Sequence, residues 1–226
     1  MRYPYLMCLG LSVSLFLACK KEYSKEDTDI ITTPPITTLP PVSTATCEYN
    51  PYATGNTFDY QYISESNDTS YYNMGVSGDT LIDGNKFAIV SDGYNKQYIR
   101  CDNGRYYSFE KGVSQTDYQR PDGLRLFLYD DKEKGATWAD TATSVISGKP
   151  VVGLLQYTIL EKGSTRTVLG QTYTDVIGVK QDAALLIDGK VYPLNTIATY
   201  YYAKKVGYIE VIAPTYKISM KSASIK

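Results

Sequence analysis

The stretch Thr57-Phe58-Asp59-Tyr60-Gln61-Tyr62-Ile63-Ser64 sets Phe58, Tyr60 and Tyr62 on one side of an extended chain and Asp59, Gln61 and Ile63 on the other. A period of two with one aromatic face marks a half-buried strand of an antiparallel sheet. Outward from it the same texture repeats. Asp83-Gly84, Asp92-Gly93, Asn103-Gly104, Asp122-Gly123 and Asp188-Gly189 supply the positive φ angles that tight hairpins need. Between them lie short runs rich in Tyr, Ile, Val and Thr: 57–64, 69–77, 86–91, 97–101, 105–110 and 124–130, then 152–160, 166–169, 171–180, 183–187, 197–203 and 208–213. Helical signal is confined to one turn's length over 140–147, where Thr, Val and Ile dominate and no 3.6-residue stripe persists. Strands without intervening helices imply an antiparallel meander, and so many strands must hide two edges. The expected fold is all-β: a single strongly curved antiparallel sheet or open barrel around a concave core, with a β-sandwich as the alternative.

Composition removes several function classes. Lys and Arg number 23 against 24 for Asp and Glu, so the chain is no polycationic nucleic-acid binder and no nucleic-acid partner is expected. Histidine is absent, which excludes histidine triads, imidazole bases and His-bearing zinc sites. The segments Asp83-Gly84-Asn85-Lys86 and Asp92-Gly93-Tyr94-Asn95 lack the 12-residue acidic spacing and closing Glu of a calcium loop. No metal or cofactor is expected. Apolar residues at 43% suffice for an ordinary core, and 23 tyrosines favour β-structure and amphipathic surfaces.

The N-terminus carries an address. Arg2 precedes an apolar run from Tyr5 to Leu17, shorter than the roughly 20 residues that span a bilayer as a helix but suited to the core of a secretory signal. The run closes on Phe16-Leu17-Ala18-Cys19, which resembles the lipobox of bacterial lipoproteins, with Phe16 where Leu is usual. That resemblance implies cleavage before Cys19, lipidation of its thiol and attachment to a membrane through the lipid. Removal of residues 1–18 takes away one cation, leaving 22 against 24 and a mature net charge of −2. Lys20-Lys21-Glu22 and Lys25-Glu26-Asp27 resemble the charged tract that directs Bacteroidota lipoproteins to the cell surface, although Lys21 intervenes before the first acid. The expected location is the outer membrane, on its periplasmic or its surface-exposed face. From Thr28 to Thr46 the chain turns to Thr, Pro and Ile, an extended spacer. The 28 steps from Cys19 to Cys47 reach on the order of 85 Å at roughly 3.1 Å each. Three segments result: a signal peptide over 1–18, a charged and Thr/Pro-rich tether over 19–46, and a β-rich domain over 47–226.

Four blocks in that domain carry a wider resemblance: Asn50-Pro51-Tyr52 with Gly55 and Phe58, Tyr98 through Gly104, Gly135-Ala136-Thr137-Trp138, and Tyr200 through Ile209. Together they resemble the β-rich Bacteroidota lipoproteins loosely grouped as TapB-like, most of which have no assigned activity. The closing block usually carries Gly where this chain has Lys205. The resemblance implies a fold and a location and supplies no catalytic residues.

The chemistry that remains is spread thin. Asp59, Glu110, Asp140, Asp175, Glu210 and other carboxylates are plentiful, yet nothing selects the pair that a glycosidase holds about 5 to 9.5 Å apart. Leu81-Ile82-Asp83-Gly84 recurs as Leu186-Ile187-Asp188-Gly189, through either related halves or coincidence in turn-rich sequence. Adjacent tyrosines at Tyr71-Tyr72, Tyr106-Tyr107 and Tyr200-Tyr201-Tyr202 fall on opposite strand faces, so one of each set enters the core. With Trp138, the outward members form the candidate ligand surface, pairing a flat apolar ring with a hydroxyl; ordinary strand covering is the other reading. Asp79-Thr80-Leu81 and Asp140-Thr141-Ala142 resemble the signal for O-glycosylation of exported Bacteroidota proteins, which would place sugars on Thr80 and Thr141. Once Cys8 leaves with the signal and Cys19 takes lipid, Cys47 and Cys101 are the remaining thiols in an exported chain, where pairing is permitted. They are read as a disulfide, the alternative being two separate buried thiols. The leading functional expectation is a lipid-anchored, non-enzymatic envelope or surface module that binds a glycan, a lipid or an envelope protein. The alternatives are a carboxylate-dependent hydrolase and a purely structural envelope component.

Overall fold

Tyr, Val and Ile at alternate positions, punctuated by Asp-Gly and Asn-Gly turns, give one antiparallel sheet. The structure, a computed structural model, describes residues 47–115, 118–146 and 148–226. The signal segment, Cys19 and the Thr/Pro-rich tether lie outside the described residues. The first strands are β1 (Thr57–Ser64), β2 (Thr69–Ile82), β3 (Asn85–Ser91), β4 (Lys96–Asp102) and β5 (Arg105–Glu110). Two short strands follow, β6 (Val113–Ser114) and β7 (Tyr118–Arg120), then β8 (Gly123–Tyr129) and β9 (Thr137–Ile146). The long strands β10 (Lys149–Val168), β11 (Gln171–Ile187) and β12 (Lys190–Ala203) precede β13 (Gly207–Ile212) and β14 (Tyr216–Ser224). All belong to one 14-stranded sheet in the order β6-β7-β9-β10-β11-β12-β13-β14-β1-β2-β3-β4-β5-β8. It is curved and open, not closed into a barrel, and no helix occurs among the described residues.

The elements depart from the sequence reading in instructive places. Residues 152–160 and 166–168 are parts of a single strand, β10, whose register against β11 shifts three times between Ile159 and Arg166, and Leu169 falls in the turn that follows. One of those irregularities absorbs Lys162 and Gly163, polar and flexible residues that read as a break. The segment 140–147, with its weak helical signal, is described through residue 146 as strand, as its β-branched content favours. β14 was not foreseen: Tyr216–Ser224 mixes Lys and Ser with Ile218 and Met220 and pairs back to β1, closing a contact across the whole chain.

Every pairing is antiparallel, so the hairpin turns fall alternately at two ends. At the near end, where the described chain enters at Cys47, lie the turns at 83–84, 103–104, 169–170 and 205–206. At the far end lie the turns at 92–95, 188–189 and 213–215. Both copies of the repeated Leu-Ile-Asp-Gly phrase are hairpin tips, and Asp83 and Asp188 sit at φ 50° and 52°. The entering segment is pinned at the near end. Lys205 N–H donates to the Glu48 carbonyl at 2.6 Å, and Tyr49 N–H to the Tyr106 hydroxyl at 3.1 Å. Cys47 is bonded to Cys101, their α-carbons 5.8 Å apart, which ties the first described residue to the end of β4.

The concave face is a filled core. Phe58, Tyr60, Tyr106, Tyr157, Ile177, Val179, Tyr202, Ile209 and Met220 are buried in it. Its tyrosine hydroxyls find partners inside the fold: Tyr60 donates to the Tyr208 carbonyl at 3.0 Å, Tyr106 to Asp130 at 2.7 Å, and Tyr157 accepts from Gln181 at 3.1 Å.

Candidate functional site

The sheet's open seam engages several of the candidate residues. β8 ends the sheet on one side, and β9 pairs with β7 only at Val145 and Ile146, so most of β9 is also a free edge. Curvature brings the two edges face to face, and side chains bridge them. Trp138 Nε1 on β9 donates to the Leu126 carbonyl on β8 at 3.0 Å. The backbone of Leu126 in turn hydrogen-bonds the Asp140 carboxyl. Lys162 Nζ reaches the carbonyls of Asp130 and Lys132 at 2.6 and 2.8 Å. Trp138 also stacks on Tyr157, ring centroids 5.1 Å apart and planes within 6°, and meets Tyr129 edge-on. Side chains thus satisfy backbone groups that a further ladder would have used.

Behind the seam lies a polar cluster. Arg125 is nearly buried and pairs with Glu110 at 2.8 Å, while its Nε and Asp140 Oδ2 lack partners. Burial pushes the Asp140 carboxyl up to about 6, against the lowering effect of Arg125 and of hydrogen bonds from the Leu126 and Thr141 backbone. The Tyr200 hydroxyl faces the same cluster without a partner, and burial pushes its pKa far up. This cluster holds the one carboxyl with a strongly raised pKa among the described residues, but its members serve the seam: Asp140 holds an edge strand and Glu110 neutralises Arg125.

The eight aromatic residues expected to form a ligand surface do not lie together. Tyr106 and Tyr202 are 1% and 7% exposed, so both are core residues and not ligand contacts; alternation turned them inward onto the concave face. Tyr200 points inward as well, and Trp138 belongs to the seam. Tyr201 faces outward beneath Arg166, whose guanidinium lies 3.3 Å from its ring centroid. Tyr107 is half-buried, with Arg100 over its ring at 5.7 Å. Tyr72 stacks on Tyr60 at 5.3 Å. Tyr71 is the most exposed of the eight, at 61%, and its hydroxyl accepts from Gln61 Nε2 at 3.4 Å. Thr80 lies in β2 opposite Phe87 and Thr141 in β9 opposite Leu154; both are strand residues with partial exposure.

Tyr71 stands at the rim of an open depression of about 320 Å³ on the convex face, over β14, β1 and β2, lined also by Asp59, Asn73, Lys221 and Ser222. A register shift in the β1–β14 pairing, where Asp59 faces Ser222 but Tyr60 faces Met220, leaves Lys221 as the extra residue. The bulge aims Lys221 at the Tyr71 ring, 4.2 Å from its centroid. Asp59 accepts from Ser222 at 2.6 Å and from Asn73 at 2.9 Å, and these bonds hold its carboxyl below the usual range. The result is an anion, an ammonium, an amide and a hydroxyl around one exposed ring. Sequence reading named Tyr71 and Tyr72, counted Asp59 only among the many carboxylates, and missed Asn73, Lys221 and Ser222. Only the alternation of 57–64 carried a signal for them, by placing Asp59 on the outward face. Among the described residues no group of three or more acidic or Cys side chains is placed to hold a metal.

No protein-family profile matches the chain. No curated protein matches it either. Two solved structures are similar in shape. One is a crystal structure of a candidate lipoprotein from Parabacteroides distasonis, with a TM-score of 0.45 and 11% identity over 78% of this chain and 98% of that one. The other is a candidate exported protein with a YmcC-like fold from Bacteroides fragilis, with a TM-score of 0.46 and 9% identity over 76% of this chain and 96% of that one. Identities this low transfer no residue roles.

Proposed function

We propose that this chain is an exported envelope lipoprotein, held at the outer membrane through Cys19, whose β-rich domain binds a glycan without chemically altering it. The lipobox-like Phe16-Leu17-Ala18-Cys19 and the four TapB-like blocks support the address.

One observation carries the binding reading: the depression around Tyr71. A sugar presents an apolar C–H face and a rim of hydroxyls. An exposed tyrosine ring accepts the face, while Asp59, Asn73, Lys221 and Ser222 offer acceptors and donors to the rim. Hydrolysis is not favoured by the same geometry, because Asp140 and Glu110 are committed to the seam and to Arg125. The test is retention of the full chain on an array of bacterial and host glycans. Tyr71→Ala should abolish the retained signals, whereas Tyr94→Ala, which removes a ring 96% exposed in a far-end turn, should leave them intact. Equal retention by the wild type and Tyr71→Ala would remove the depression from this role.

A further inference from the structure

β12 pairs with β13 only from Thr199 to Ala203, so residues 190–196 form a free edge on the far-end hairpin with β11. That hairpin is apolar on both faces. Val191 lies opposite Leu186 and Tyr192 opposite Leu185, and successive pairs point to opposite sides. Ile187, Val191, Tyr192 and Leu194 are 48%, 48%, 47% and 53% exposed. Strands with two apolar faces belong between two covering layers; Ile187 and Tyr192 stand on one face and Val191 on the other, so exposed apolar surface wraps the hairpin end on both sides.

The edge is guarded against strand addition. Pro193 has no N–H to offer, and bulges between Gln181 and Asp182 and between Ala183 and Ala184 twist the hairpin. A partner is therefore favoured that takes side chains and needs no backbone ladder, as a lipid surface does. Tyr192 has the amphipathic ring of an interfacial residue. Lys190 and Lys149, both exposed at this end, outnumber the exposed Asp188 of the turn and leave a net positive charge for anionic headgroups. From Ala203 to Val191 the strand runs away from the near end by about 40 Å at roughly 3.3 Å per residue. The tether's reach, on the order of 85 Å, exceeds that length, so an anchored chain can lay its far end on the bilayer that holds its lipid.

We propose that the 185–194 hairpin docks on an anionic lipid surface; the approach geometry rests on the lipid-anchor reading, the docking chemistry does not. The test uses residues 19–226 carrying Cys19→Ala, the chain expected after removal of the signal, which has neither the apolar run of residues 5–17 nor an acyl anchor. It is sedimented with vesicles of phosphatidylethanolamine and phosphatidylglycerol. Adding Val191→Ser, Tyr192→Ser and Leu194→Ser should lower the bound fraction at least about tenfold, since three apolar side chains lose their transfer to lipid. Leu81→Ser with Leu169→Ser, equally exposed at the opposite end, should change nothing. Lys149→Glu with Lys190→Glu should weaken binding to these vesicles and not to neutral phosphatidylcholine. Undiminished sedimentation of the triple variant, or an equal loss from the near-end pair, overturns the proposal.

Discussion

Trp138 on β9 donates its indole N–H to the carbonyl of Leu126 on β8 at 3.0 Å, joining two strands that share no ladder. The sheet stays open in its hydrogen bonding, yet its free edges are not left to solvent. Trp138→Phe keeps a ring against Tyr157 but loses this donor. The expected cost is about 1 kcal/mol, the net contribution of one hydrogen bond to a partly buried carbonyl, read as a lower urea midpoint with an unchanged slope. A midpoint equal to wild type would mean that the Leu126 carbonyl is satisfied without the indole.

Asp140 makes the same seam sensitive to pH. An unfolded Asp titrates near 4, whereas burial raises Asp140 to about 6 in the fold. Between these values the folded state holds the extra proton, so stability falls as pH rises from 4 to 6 and the loss is complete above 6. Asp59 acts in the opposite sense: hydrogen bonds from Ser222 and Asn73 lower its pKa, and its contribution is lost only as pH drops below about 4. Asp140→Asn should flatten the 4-to-6 slope and stabilise the fold at pH 7 by about 2 kcal/mol, allowing for partial solvent access. Thermal melts across pH 4 to 8 measure this, and a slope unchanged in the variant would show that Asp140 is not its source.

Lys205 occupies a left-handed position, φ 62°, in the β12–β13 turn. Its N–H holds the Glu48 carbonyl, so the backbone cannot relax without releasing the entering segment. A side chain in that region costs about 1–2 kcal/mol relative to glycine. Lys205→Gly should therefore raise the melting temperature slightly, offset in part by the freer unfolded chain. A lower melting temperature would show that the Lys205 side chain matters more than the backbone strain.

Gly178 is required for a different reason. A Cβ there would lie 2.8 Å from Glu161 Cγ and 2.9 Å from Tyr201 Cε1. Those two side chains frame Arg166, which covers Tyr201 and pairs with the buried Glu210 at 2.6 Å. Gly178→Ala should displace the Tyr201 ring and destabilise by about 1–3 kcal/mol, visible in equilibrium unfolding. A neutral substitution would mean the Arg166 stack shifts freely.

Reduction of the Cys47–Cys101 bond releases a loop of 54 residues. On chain-entropy grounds this should cost about 4 kcal/mol, measured as unfolding with and without reductant and matched by Cys47→Ser. Insensitivity to reductant would show that the hydrogen bonds of Glu48 and Tyr49 suffice to hold the near end.

The fold was legible because its signals are local. Period-two alternation in 57–64 and the Asp-Gly or Asn-Gly turns at 83–84, 103–104 and 188–189 fix strands and hairpins without reference to distant partners. The seam was not legible. That Trp138 and Asp140 meet Leu126 depends on the accumulated curvature of the whole sheet. The tyrosine sets show the same limit. Alternation correctly separates Tyr200 and Tyr202 from Tyr201, but which face is concave is a property of the sheet. The Tyr71 site escaped in part because Lys221 and Ser222 join it through a bulge between strands at opposite ends of the chain, which no local spacing encodes.

The binding claim is tested most directly by a crystal structure of this chain soaked with an oligosaccharide that the array retains. The expected result is a sugar ring against Tyr71 with its hydroxyls on Asp59, Asn73 or Lys221. Density for the sugar at any other surface, with the Tyr71 depression holding solvent alone, would contradict it.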